Sequence, residues 1–326
     1  VTGLANNAFG VSPYSSATSA SPAPTPRGLF AGGYNGSSNV NVIDFVDIST
    51  DGNASDFGDL TASITGAAGC SSVTRGVFAG GSTSGGSSSR DTIEYVTIAT
   101  EGNVTDFGDL NEAKMQHSGL SNSTRGVFAD GRRTNNSTNS GNLRYITIAS
   151  TGNSVDFGGD YINRAEQASL ASPTRGIIGG GHSSGTYRDH IAYLTIASTG
   201  DAQSFGDLTA ATLTLTGASS TTRGIFAGGY VSGGNTNKIE YVTIASAGNA
   251  TDFGDLTAAT QDNTGSSNST KAIFAGGYIN GQNSVVDTID KITITSTGNA
   301  SDFGNLTAAR AGMSNGQVSP SHGGIS

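Results

Sequence analysis

The chain has 326 residues, of which 34% are apolar and 13% charged, with 49 glycines, no tryptophan and a formal net charge of −9. That balance argues against nucleic acid or an anionic membrane as partner, since both reward a basic surface. No apolar run approaches the ~18 residues of a spanning helix, so membrane insertion is not expected either.

Residues 1–26 differ from the rest: Pro13, Pro22, Pro24 and Pro26 stand among Ser and Ala, which reads as an arm or linker. No basic stretch followed by an apolar one occurs, so no signal peptide is expected. Beginning at Val1 rather than Met, the chain is expected to be processed or part of something longer.

From Arg27 onward the chain repeats itself six times, at a spacing of 48 or 50 residues. The copies open with Arg27, Arg75, Arg125, Arg175, Arg223 and Lys271, usually followed by Gly, an aliphatic and an aromatic residue. A second anchor keeps step: the Phe of Phe57, Phe107, Phe157, Phe205, Phe253 and Phe303, each followed by Gly. Such a period marks a unit that cannot bury its apolar face alone and stacks on copies of itself. The repeats fill 27–318 as one domain and leave 319–326 as a C-terminal tail.

The fifth copy shows the elements in order. Residues 223–229 form a short apolar strand stopped by a Gly pair, and 230–237 form a polar, Gly-rich loop. Residues 238–245 are a second strand, with Ile239 and Tyr241 and, after a shift, Val242 and Ile244 supplying β-branched and aromatic bulk. Residues 246–249 are a turn, since Gly-Asn tolerates positive φ. Residues 251–256 are a further strand, and 258–267 a last one of small residues. Four antiparallel strands per unit make a propeller blade.

Small residues suit the crowded position beside the axis, so Thr65–Cys70, Gln116–Leu120, Ala168–Ala171 and Thr216–Ser219 are assigned innermost. The Arg-Gly strand is then second, the strand bearing Tyr third and the Asp-Phe-Gly strand outermost. Blade one lacks an inner strand of its own, and residues 308–316 supply a spare one. The expected fold is an all-β, six-bladed β-propeller of four-stranded antiparallel blades, its ring closed by the C-terminal strand. Cys70, the only cysteine, forms no intrachain disulfide and sits where a buried free thiol fits best.

The basic anchors Arg27, Arg75, Arg125, Arg175, Arg223 and Lys271 are read as interblade structure rather than an anion site. Asp56, Asp106, Asp156, Asp252 and Asp302 recur as regularly and are the expected partners; Ser204 stands in the fourth copy. The Gly-Asn-x-x-Asp-Phe-Gly stretch lacks both EF-hand and Asp-box order, so its Asn is expected to bond its own turn backbone. No P-loop, nucleophile elbow or Ser/His/Asp arrangement is present. No cofactor, no metal and no catalytic activity are therefore expected.

Antiparallel order puts the loops between second and third strands on one face with the linkers that lead into each inner strand. Those loops vary where the other face is uniform, and loops on a rigid scaffold are where recognition sits. The candidate partner-binding residues are Tyr34 and Asn35 in the first loop, Arg90 in the second, and Arg132, Arg133 and Asn135 in the third. The fourth adds His182, Tyr187, Arg188 and His190, the fifth Tyr230 and Asn235, and the sixth Tyr278, Asn280 and Gln282.

The Gly pairs Gly32-Gly33, Gly80-Gly81, Gly180-Gly181, Gly228-Gly229 and Gly276-Gly277, with Tyr95, Tyr145, Tyr193 and Tyr241 downstream, resemble the kelch repeat. Asp130-Gly131 departs from it, Phe45 and Lys291 replace the Tyr, and Phe of Asp-Phe-Gly replaces the kelch Trp. The fuller wording, Arg-Gly-x-Phe-Ala-Gly-Gly followed by Ile-Glu-Tyr-Val-Thr-Ile-Ala-Ser-x-Gly-Asn-Ala-Thr-Asp-Phe-Gly-Asp-Leu-Thr, also resembles repeat proteins of marine cyanophages and related bacteriophages. That resemblance implies a non-enzymatic virion structural protein (tail fibre, spike or capsid-associated), with other virion proteins and a host-surface glycan or protein as partners. It further implies a homo-oligomeric assembly located in the virion. A secreted or cell-surface polysaccharide hydrolase or lyase, or a purely structural scaffold, is the alternative.

Overall fold

The computed structural model describes residues 1–2, 25–84, 88–133, 139–279 and 281–325; most of the N-terminal arm, Asn135 and Asn280 lie outside them. Among the described residues every regular element is a strand, and no helix is long and apolar enough to cross a membrane. Six small antiparallel sheets surround one axis as a six-bladed β-propeller.

Blade two illustrates the plan. Its inner strand Ala68–Ser71 pairs with Arg75–Ala79, that with Arg90–Thr97, and that with the outer strand Thr105–Met115. The small inner residues are buried throughout, as their place against neighbouring inner strands requires. In the second strand Val77 and Ala79 pack toward blade three, while Phe78 packs toward blade one. The third strand alternates too: Ile93 faces blade three, Val96 and Ile98 blade one. The shift expected in this strand is absent, because a blade sandwiched between two others buries both faces. The core is accordingly divided into six clusters, one in each wedge between neighbouring blades. In all six blades the outer strand slips register at its Phe, which bulges and turns its ring inward.

The repeated motifs are interblade fasteners. Gly58, at φ 149°, lies so close to the Gly102 carbonyl of the next blade that a Cβ would stand 2.4 Å from it; the same contact recurs at every junction. Beside it Asn103 Oδ1 accepts the N–H of Asp59, and Asn153, Asp201, Asn249, Asn299 and Asn53 serve their preceding blades likewise, at 2.8–3.1 Å. The turn Asn therefore bonds the neighbouring blade's backbone, not its own as expected. Exposed outer edges are paired away in this manner.

The basic anchors also bridge blades, with a different partner from the one expected. Arg75, Arg125, Arg175 and Arg223 each donate from Nη1 to a carbonyl in the next blade, that of Ile148, Ile196, Ile244 or Ile294, at 2.8–2.9 Å. Arg27 reaches Ile98 O at 3.2 Å and also Glu101. Each guanidinium lies 4.4–4.5 Å above its own blade's Phe45, Tyr95, Tyr145, Tyr193 or Tyr241. Asp56, Asp106, Asp252 and Asp302 are exposed and pair with none of these anchors, and Asp156 pairs with Arg144 of its own blade at 3.0 Å. The pairing fails because the bulge leaves Asp on the solvent side of the outer strand. In blade six Lys271 and Lys291 converge instead on Asp51 of blade one, holding its carboxyl below the usual range.

Residues 314–318 complete blade one: the Ser314 N–H donates to Ala31 O and the Leu29 N–H to Val318 O, each at 3.0 Å. The strand bulges into the channel instead of lying flat. Asn315 O accepts from both Gly69 N and Gly119 N at 2.9 and 3.0 Å, and Asn315 Nδ2 reaches Gln167 O at 2.8 Å. Gln317 binds Ser219 and Ser267 of blades five and six. Residues 319–325 do not trail away as a tail: they fill the channel's far end and are mostly buried. Gly324 N–H donates to His322 Nδ1 at 3.0 Å, which leaves Nε2 to carry the proton and donate to Ser121 Oγ at 3.2 Å.

Candidate functional site

Each linker swings toward the axis just before its inner strand and reverses through one residue of left-handed conformation. These residues are Gly66, Gln116, Glu166, Thr214, Asp262 and Gly312, with φ between 54° and 67°. Each donates its N–H to the carbonyl of the preceding one, and the six bonds close on themselves at 2.7–3.0 Å. A hydrogen-bonded collar thus rims the channel mouth. Glycine occupies two of its positions at no steric cost, while the four polar residues each bear roughly 1–2 kcal/mol of strain. Below the collar the channel is stopped by Asn315, so the mouth is a recess and not a pore.

Polar side chains converge there. Gln116 Nε2 donates to Glu166 Oε1 at 2.6 Å, and His182 Nδ1 lies 3.3 Å from Glu166 Oε2, which raises the pKa of His182. Burial in the recess, with Glu166 facing it, pushes the Asp262 carboxyl up to about 8. Burial, then Asp262 and Tyr34, push the Tyr278 phenol up to about 12. A cavity of about 40 Å³ on the axis is bounded by Gln116, Glu166, Thr214, Asp262 and Asn315, among others. Beside it a wider recess of about 380 Å³ is lined by Glu166, Tyr187, Thr214, Tyr230, Gln261 and Gln282. A third cavity, about 700 Å³, lies between blades four and five, with Tyr187 shared between the two larger ones.

The structure brings some of the loop candidates together. Tyr187 and Tyr230 meet edge to face, with ring centroids 6.1 Å apart, and Gln282 joins them at the recess. Tyr34 and Tyr278 form a second pair at 6.5 Å, and His182 reaches the collar through Glu166. Others are occupied elsewhere. Asn35 caps its own loop through Ser37 and Ser38, and Asn235 braces the next loop through Tyr278 O. Arg133 pairs with Glu112 at 2.6 Å, and Arg90 bonds Thr61 and Thr92. Arg132 pairs through its backbone with Met115, and Arg188 is half-buried. His190 lies 3.0 Å from Asp189 and 3.8 Å from Asp207, a partly exposed cluster away from the axis.

In sequence comparison no protein-family model and no curated protein matches the chain. The residues that sequence reasoning passed over are the collar group, above all Glu166 and Asp262, with Gln261 beside them. Their signal was a single linker position where two copies carry Gly and four carry Gln, Glu, Thr or Asp. A bulky polar residue where others need glycine marks a strained place retained for a reason.

Proposed function

We propose that the chain is a non-enzymatic component of a phage-type virion, part of a tail fibre, spike or capsid-associated assembly, that binds host-surface glycan through its loop face. The observation that carries this reading is the 380 Å³ recess in which Tyr187 and Tyr230 stand over Glu166, Thr214, Gln261 and Gln282. Tyrosine offers rigid, amphipathic area at low entropic cost, and the amides, hydroxyl and carboxylate can match a sugar's hydroxyls. The resemblance of the repeat wording to cyanophage proteins supports the virion setting. In that setting other virion proteins hold the propeller, as one copy of a homo-oligomer, with the loop face outward.

The test is binding of purified protein to immobilised host-surface polysaccharide. Tyr187→Ala and Tyr230→Ala each weaken it by about tenfold, the effect of losing one anchoring aromatic. Equal binding by wild type and both variants would sink the assignment. A polysaccharide hydrolase is the second reading, favoured by two carboxylates, Glu166 and Asp262, at one axial cavity. It requires release of reducing ends by wild type and loss of that release in Glu166→Gln; an inert wild type excludes it.

A further inference from the structure

Two buried amide oxygens at the axial cavity beneath the collar have no donor. Two amides there have their orientation fixed by their nitrogens: Gln116 Nε2 donates to Glu166, and Asn315 Nδ2 to Gln167 O. The oxygens left over, Gln116 Oε1 and Asn315 Oδ1, are buried and have no partner. Thr214 donates its hydroxyl proton to Leu213 O at 2.7 Å, which leaves its lone pairs free. Glu166 and Asp262 add two carboxylates. Buried acceptors without donors are costly, and water can offer each only a share of two protons.

We propose that the axial cavity binds one hard divalent cation, Ca²⁺ in the first instance, using Gln116, Glu166, Thr214, Asp262 and Asn315. The donors are all oxygen and mix carboxylate, amide and hydroxyl, the set that calcium takes and softer metals do not favour. The ion's own charge holds Asp262 ionised against its burial, so that the two carboxylates together match its two positive charges. These residues come from four separate linkers and from the closing strand, so a bound ion ties five parts of the ring together at its centre. The site shares Glu166 and Thr214 with the neighbouring recess, but the inference does not rest on what that recess binds.

The experiment uses the full chain, stripped with EDTA and dialysed, then titrated with CaCl₂ by calorimetry and melted with and without Ca²⁺. One site per chain and a higher melting temperature with Ca²⁺ are expected. Asp262→Asn should weaken binding by about tenfold or more by removing ligand charge, and abolish the thermal gain. Asn is among the best residues for left-handed backbone, so this variant keeps the collar's geometry. Glu166→Gln, run in parallel, should lose binding as well and covers a failure of the first variant to fold. Asp189→Asn removes a ligand of the other Asp/His cluster and should leave binding intact. The proposal is overturned by no heat and no thermal shift up to about 10 mM Ca²⁺, well beyond weak extracellular sites. It is equally overturned by binding that survives both collar variants, or that Asp189→Asn abolishes.

Discussion

At the scale of single residues, the repeated Arg acts through its plane as much as through its charge. Arg125 stacks 4.4 Å over Tyr145 while Nη1 donates 2.9 Å to Ile196 O across the blade boundary. Losing a half-buried cation–π contact and a charge-assisted bond together costs about 1–3 kcal/mol. Arg125→Ala should therefore lower the denaturation midpoint clearly, whereas Asp106→Ala should stay within ~0.5 kcal/mol of wild type. Equal losses from the two variants would restore the Arg–Asp pairing read from the sequence. Regular recurrence identified both residues as structural, yet recurrence alone could not say which atoms meet. The Phe107 bulge decides that, and a bulge leaves no mark in the spacing.

At the scale of elements, the closing strand is the most constrained segment. A Cβ on Gly316 would stand 2.1 Å from Gly69 O and 2.4 Å from Gly119 O, both backbone atoms that cannot yield. Gly316→Ala is expected to displace the strand and cost more than about 4 kcal/mol. Gly52→Ala meets nothing within 4 Å and should be nearly neutral. Thermal melts compare the two, and carboxypeptidase sensitivity reports whether the C-terminus has left the channel. The strand's role in blade one was legible because six outer sets of strands needed six inner ones. The plug was not, since residues 319–325 carry no repeat and their burial depends on Ser71, Ser121 and Ser219 from three other blades.

At the scale of the whole molecule, the ring should weaken in acid. Burial lowers His322 from the usual 6.5 to about 4 and His117 to about 3. The unfolded chain thus takes up protons first. The stabilisation from these groups is complete above pH 6.5 and is lost as pH falls through the folded values. His322 alone contributes on the order of 3 kcal/mol across that window. Asp262 acts with the opposite sign: its share is present below the ordinary 3.8 and is lost as pH rises from there to about 8, which offsets part of the loss from the two histidines. Melting temperature should drop between pH 6.5 and 4, and His322→Asn should flatten that slope; a slope unchanged in the variant would remove His322 from the account. The architecture was legible because each blade restates one pattern. The candidate site was only half legible, because Tyr187 and Tyr230 announce themselves in variable loops while Glu166 and Asp262 look like ordinary linker residues until the collar brings them round one axis.

The closing strand also sets a timetable. Blade one has its second, third and outer strands once residue 59 has been made, but its inner strand begins at Ser314, 255 residues later (314 − 59 = 255). At ~5–20 residues per second of synthesis, the free edge of Arg27–Ala31 waits roughly 10–50 seconds for its mate. During that interval it is an open berth for any passing strand, including the closing strand of a finished copy that has not yet shut its own ring. Crowded polysomes are therefore where this ring is most exposed to exchanging its last strand between neighbours.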